Sequence, residues 1–135
     1  MNLHHITLVQ TTFPTVQTEA DLFVNRLYEH LFRLDPCLCY LFPREMAAHK
    51  QKFIAALGEI VAGLERPFPL IQHTLKPLGR RHTHYGIQPA HYHTFATALH
   101  HALAATLGTA FTTEVAAAWM EAYYLVVGIM KETRD

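Results

Sequence analysis

The side chains best suited to chemistry are a few histidines and tyrosines at telling positions. His82 closes the run Leu78-Gly79-Arg80-Arg81-His82, at the end of a short predicted helix and behind two arginines. Tyr92 follows ten residues later, beyond Gly86-Ile87-Gln88-Pro89, so the chain can reverse between them and bring the phenol near the imidazole. His49 shares a helix face with Met46, Phe53, Leu57 and Ile60 at steps of three and four, and Tyr28 lies beside a second apolar face. A histidine among apolar residues is commonly just a satisfied core or surface residue. Its neutral nitrogen is also a good metal donor. Spacing alone therefore points to a helical protein with a metal or cofactor site, and to nothing sharper.

The elements that must position these residues read as helix nearly throughout, with six glycines and no run of strict alternation. Leu3, Ile6, Val9, Phe13 and Val16 mark a first helix that Pro14 ends or bends. Thr18 is placed to cap a second helix, with Glu19 and Asp21 at its positive end and Leu22, Leu27, Leu31 and Leu34 along one side. Asp35-Pro36 stops it, and Pro36 to Phe42 reads as a turn-rich connection closed by Pro43. A helix from about Arg44 to Leu64 follows, on which Gln51 falls opposite His49. Glu65 to Pro69 reads as a loop, and Leu70 to His82 as a shorter helix interrupted by Pro77. Pro89 opens a helix that Gly108 ends, and Thr112 or Thr113 caps a last one carrying Val115, Trp119, Tyr123, Val126, Val127 and Met130.

The bulk numbers agree with one compact domain over residues 1–135. Half the residues are hydrophobic and 16% are charged, which argues against disorder. Eleven basic and eleven acidic residues cancel, so no net field draws in nucleic acid or an anionic membrane. No basic segment followed by a long apolar run opens the chain and no span suits a bilayer, so the expectation is a cytoplasmic protein. Cys37 and Cys39 are too close for an easy mutual disulfide and lack the C-x-x-C-H pattern of covalent haem attachment. They are expected as small apolar core residues of a reducing compartment. Of the eleven histidines, His4/His5, His91/His93 and His100/His101 sit at spacings that share no helix face, and no second metal site is expected.

At this point the residues become recognisable. The run from Leu78 to Tyr92 resembles the proximal haem segment of bacterial flavohaemoglobins and their single-domain relatives. So do Ala118-Trp119-Met120-Glu121-Ala122-Tyr123 and Leu27-Tyr28-Glu29-His30-Leu31-Phe32, the latter followed by Asp35-Pro36 and Leu41-Phe42. The pieces stand in family order and at family spacing from about Leu3 to Met130. The resemblance implies an all-α globin fold around one haem b (iron protoporphyrin IX), with His82 as the proximal iron ligand. It implies that Tyr92 hydrogen-bonds near that imidazole, that Phe42 wedges against the haem, and that Tyr28 is the distal tyrosine. The family's distal residue on the next helix is often glutamine; here the choice lies between His49 and Gln51, and helical phase favours His49. Phe53 takes the apolar position over the distal side, where leucine is common. Lys52, Arg81 and Arg44 are candidates to pair with haem propionates. The family's proximal glutamate falls at Arg134 here, with Glu132 nearby but off register.

The functional expectations are ranked accordingly. The first is a globin that reversibly binds oxygen, in transport or storage, at a five-coordinate haem iron. The second is a nitric oxide dioxygenase. The flavin and nicotinamide domains of full flavohaemoglobins lie outside the resemblance, so this reading looks to an external reductase for electrons. The third is a haem-free helical regulator or a histidine-rich metal buffer. Expected partners are oxygen and other diatomic gases, with no nucleic acid and no membrane.

Overall fold

A computed structural model describes residues 1–133. Helix α1 spans Leu3–Thr18 and α2 Ala20–Leu34; a 3-10 segment, Pro36–Leu41, leads to α3, Met46–Gly63. A short α4, Pro67–Leu70, runs through a π-helical turn, Ile71–Leu75, into α5, Lys76–His84. Helix α6 covers Pro89–Leu107, and α7, Thr113–Lys131, follows a 3-10 turn at Gly108–Ala110. No strand occurs among the described residues.

Several boundaries differ from the sequence expectation. Pro14 does not end α1, because Phe13 and Val16 on either side of it are both buried and hold the helix past the lost hydrogen bond. Thr18 does not cap α2. The two helices are separated by one residue, Glu19, whose N–H still bonds the Thr15 carbonyl at 2.9 Å. Pro67 sits in the first turn of α4, where its missing N–H costs nothing, so helix begins inside the expected loop. Pro77 does interrupt the regular helix, as expected: a π turn, Ile71–Leu75, precedes it and α5 restarts with Pro77 in its first turn. It has no N–H to give and its ring would crowd the carbonyl four residues back, and the chain widens just before it: the Lys76 N–H reaches five residues back to Ile71.

The expected stops and caps are otherwise present. The Thr112 side chain accepts from Val115 N–H at 3.2 Å. The imidazole of His91 accepts from the Gln88 N–H at 2.9 Å, so one of the scattered histidines closes the start of α6. Gly86, with φ of +96°, makes the reversal between α5 and α6, where the Ile87 N–H bonds the His82 carbonyl at 3.0 Å.

The core is built where α2 crosses α6 and α1 lies against α7. Phe23, Leu27 and Leu31 of α2 meet Ala98, Ala102 and Leu103 of α6, all essentially inaccessible; the alanines let the two backbones approach closely. Burying a leucine or phenylalanine side chain contributes about 1.5–3 kcal/mol, so this crossing is the main anchor of α2. Trp119 joins α7 to α1 by donating to Thr12 Oγ1 at 2.8 Å. The expectation for the cysteines is overturned: Cys37 and Cys39 are both exposed and free. The 3-10 segment has three residues per turn, and it turns Leu38, at 3% exposure, inward in their place.

Candidate functional site

Three elements converge on one cluster: α2 brings Tyr28, the 3-10 segment delivers Phe42 at its end, and α3 contributes His49 and Phe53; His82, in the last turn of α5, is within electrostatic reach of His49. Tyr28 is 6% exposed, on the buried side of α2 with Leu27 and Leu31. Its hydroxyl and His49 Nε2 share a hydrogen bond of 2.9 Å. Aromatic rings enclose the pair. Tyr28 meets the edges of Phe42 and Phe53 at centroid distances of 5.2 and 6.0 Å and stacks on Phe32 at 5.8 Å. Phe42 also lies 5.4 Å from the His49 ring, and Phe53 stacks on Phe23 and meets Phe95. Gln51 is exposed, as its opposite helical phase requires.

Burial pushes the Tyr28 hydroxyl well above the usual tyrosine range, so it stays protonated at any working pH. Burial, and then the nearby Lys52 charge, push His49 below the ordinary histidine value, which favours neutral imidazole at pH 7. This tyrosine and histidine therefore satisfy one another. A polar ligand arriving there must compete with an existing hydrogen bond instead of meeting two unpartnered groups.

On α5, His82 Nδ1 lies 2.9 Å from the Leu78 carbonyl. A carbonyl can only accept, so Nδ1 carries the hydrogen and Nε2 keeps its lone pair. Burial pushes His82 down most strongly; the Leu78 bond opposes this, and the charges of Arg81 and His49 add to the lowering. The two imidazoles are thus within electrostatic range of each other. The Leu78 carbonyl thus occupies His82 Nδ1. Side chains on a helix lean back toward its N-terminus, and a carbonyl already used in the helix has a second lone pair to offer. The Tyr92 ring stacks on His82, at 6.5 Å and 23°.

Tyr92 is held in turn by groups that sequence reasoning did not single out. The Tyr123 hydroxyl donates to the Tyr92 carbonyl, and the Lys131 ammonium lies 5.9 Å above the Tyr92 ring. Tyr123 also stacks on Phe95, linking this wall to the distal aromatics. Gly79 is buried where α5 touches α7; a Cβ there would come within 2.7 Å of the Met130 carbonyl oxygen. A lone glycine inside a predicted helix was the available signal for that close approach. Arg134, the position of the family glutamate, lies outside the described residues, and Glu132 is exposed.

The donor set fits a haem. One neutral imidazole presents a free Nε2, a second wall offers a hydroxyl and another imidazole, and apolar rings fill the space around them. Lys52, Arg81 and Arg44 are exposed and enter no ion pair among the described residues.

The family model described as Globin matches residues 25–130. The chain belongs to the globin family. Two flavohaemoproteins are similar to this globin: one from Xylella fastidiosa, 31% identical over 132 residues, and one from Bacillus subtilis, 27% identical over 133. These alignments take in 96% and 94% of the chain, and the chain spans about a third of the length of either relative (33% of each). A neuroglobin from Dissostichus mawsoni is 28% identical over 120 residues, covering 78% of this chain and 75% of that one. The all-α fold and the resemblance to the haem domain of flavohaemoglobins stand. Globin membership implies a haem cofactor and diatomic gases as ligands. Among the described residues, no helix is long and apolar enough to cross a membrane.

Proposed function

We propose that this globin domain works in the cytoplasm, binds haem b through His82 and takes up oxygen reversibly. The observation that carries the reading is the state of His82. Its Nδ1 is committed to a neutral acceptor, the Leu78 carbonyl, at 2.9 Å, and its Nε2 is left free as a neutral donor. Haem, when bound there, supplies a ferrous iron able to take a diatomic gas.

The remaining work belongs to the chain. Tyr92, stacked on His82 and held by Tyr123, limits rotation of the imidazole. Phe42 and Phe53 exclude water from the distal space and fix the Tyr28 ring. Tyr28 and His49 redirect their shared hydrogen bond toward a polar diatomic ligand. The gain is the difference between two hydrogen bonds, about 1 kcal/mol, enough to change affinity roughly five-fold. Lys52 and Arg81, exposed beside His49 and His82, pair with the haem propionates. A neutral acceptor behind His82 donates little electron density to the iron, which suits holding a gas better than cleaving it.

Haem reconstitution tests this reading. The wild-type protein is expected to show an intense Soret band and a five-coordinate ferrous spectrum. His82→Ala is expected to lose the latter while His73→Ala, His84→Ala and His91→Ala retain it. A variant among those three that behaves like His82→Ala would move the ligand elsewhere.

A second reading, nitric oxide dioxygenase, is favoured by the 31% identity to a flavohaemoprotein over nearly the whole chain. It requires a reductase as a source of electrons. Nitrate formation from nitric oxide with a supplied reductant, at a rate that survives many turnovers, separates it from oxygen binding alone.

A further inference from the structure

Two lines of aromatic rings lead away from the candidate site, and they meet at one residue. On the His82 side, Tyr92 stacks on the imidazole at 6.5 Å, and the Tyr123 hydroxyl donates to the Tyr92 carbonyl. On the Tyr28 side, Phe53 and then Phe95 follow at centroid distances of 6.0 and 6.1 Å, and Phe95 stacks on Tyr123 at 5.9 Å. From Tyr123 the line reaches the surface in one step. Its ring meets the edge of Tyr124 at 5.4 Å, and Tyr124 is 51% exposed where Tyr92 is 7%. Tyr124 also walls a surface recess of about 250 Å³, shared with Ala96, Thr97, His100 and Met120.

Burial accounts for the inner rings as core packing. The line outward from His82 has a chemistry besides, because its three members Tyr92, Tyr123 and Tyr124 are all phenols. A phenol gives up an electron together with its proton far more easily than a benzene ring gives up an electron, so tyrosines can carry an oxidising equivalent where Phe53 and Phe95 cannot hold one. Electron transfer weakens steeply with distance, and neighbouring rings in contact keep each step short. The three phenols differ in where a proton can go. The Tyr123 O–H points at a carbonyl, which accepts a hydrogen bond but does not take the proton away. The Lys131 ammonium, 5.9 Å above the Tyr92 ring, opposes positive charge there. Tyr124, half in solvent, releases its proton to water. An oxidising equivalent that enters at Tyr92 therefore comes to rest on Tyr124.

We infer that Tyr124 is an oxidisable outlet of this globin, the surface position at which oxidising equivalents delivered to the haem by peroxide are discharged through Tyr92 and Tyr123. The inference rests on the haem reading above. The neutral acceptor behind His82 makes reaction with peroxide slow, and a site that holds oxygen for long periods still meets peroxide; the outlet spares the haem and the rings that touch it. Hydrogen peroxide is the oxidant. In all, one peroxide takes one electron and one proton from Tyr124 on each of two chains, giving two waters and two phenoxyl radicals. The radicals couple at the ring carbons beside oxygen: a carbon–carbon bond forms, and the two displaced ring hydrogens return to the oxygens. The product is a dityrosine cross-link between two chains, and no other reactant enters.

The test treats the ferric, haem-loaded protein with an equimolar amount of hydrogen peroxide. Freeze-quenched electron paramagnetic resonance detects the radical, a nitroso spin trap with peptide mass spectrometry locates it, and fluorescence reads dityrosine. The wild type is expected to give a tyrosyl signal, a trap adduct on Tyr124 and a cross-linked dimer. Tyr124→Phe, a change at a half-exposed ring, is expected to lose the adduct and the cross-link and to bleach its haem faster, with the Soret band and oxygen uptake of the untreated protein unchanged. Tyr92→Phe and Tyr123→Phe leave Tyr124 in solvent but cut it off from the site, so at equal haem content its adduct is expected to fall in both. Tyr40→Phe and Tyr85→Phe, at rings more exposed than Tyr124, are expected to leave that adduct as it was. Equal labelling of Tyr124 in the haem-free protein, or in all four of these relay and control variants, means attack from solution and overturns the outlet. So does a wild-type adduct on Tyr40 or Tyr85 in place of Tyr124. A protein that shows no Soret band overturns the haem reading beneath it as well.

Discussion

Replacing Gly79 by alanine tests how the proximal side is held. In an ordinary helix interior this change stabilises, by about 0.5–1 kcal/mol. Here the added Cβ would lie 2.7 Å from the Met130 carbonyl oxygen and 2.9 Å from Met130 Cα, with Thr133 Oγ1 closer still. The threonine hydroxyl can rotate away, but the two Met130 atoms are backbone. Restoring an unstrained separation of about 3.5 Å means moving α5 off α7 by roughly 0.6–0.8 Å. Overpacking of that order costs about 1–3 kcal/mol, which outweighs the propensity gain and leaves a net loss of about 1–2 kcal/mol. At this chain length that is a fall in Tm of roughly 3–8 °C. His82 lies one turn along the same helix, so its imidazole moves with the backbone. The iron–histidine stretching frequency of the haem-loaded variant is expected to shift. Gly128→Ala supplies the control, since a Cβ there meets nothing within 4 Å and the protein should gain stability. If both substitutions stabilise by the same amount, α5 and α7 are not in contact at Gly79 and the argument fails.

Other consequences follow from the same geometry. Tyr28→Phe leaves His49 Nε2 without its partner and should speed oxygen dissociation about three- to ten-fold; Gln51→Leu, on the exposed face of α3, should change nothing, and the reverse pattern would make Gln51 the distal residue. His30, His49 and His82 all have pKa values pushed below the free histidine value, chiefly by burial. The unfolded chain therefore binds more protons as pH falls below about 6.5, and denaturant midpoints of the apoprotein should decline on acidification through that range. His30 stacks on His101 at 4.2 Å and its buried Nδ1 has no partner among the described residues, so His30→Phe should flatten part of this slope; an unchanged slope would remove His30 from the account. Cys37 and Cys39 should both react with a thiol reagent in the folded protein, in contrast to the slow labelling of core thiols.

The helical character of the chain, the apolar faces and most caps were legible in the residues, because each depends on spacing within one segment. Thus the phase that set His49 on one face of α3 and Gln51 on the other needed nothing beyond 3.6 residues per turn. The motif around His82 was likewise local. What the sequence could not decide depends on atoms brought together from distant segments. The bond between Tyr28 and His49 joins α2 to α3 across 21 residues, and only packing sets its 2.9 Å length. The bond from His82 Nδ1 to the Leu78 carbonyl could not be read at all, because a carbonyl belongs to every residue and leaves no mark in the sequence; the lean of the side chain toward the helix N-terminus sets it. Pro14 was read as an end or a bend because its local cost is real, and burial of Phe13 and Val16 carries α1 past it; the interruption read at Pro77 takes the form of a π turn just before it. The cysteines were placed by composition, yet the 3-10 segment buried Leu38 and turned them outward. Gly79 showed only that something must come close; that it is the end of α7 depends on how two helices distant in the chain pack together.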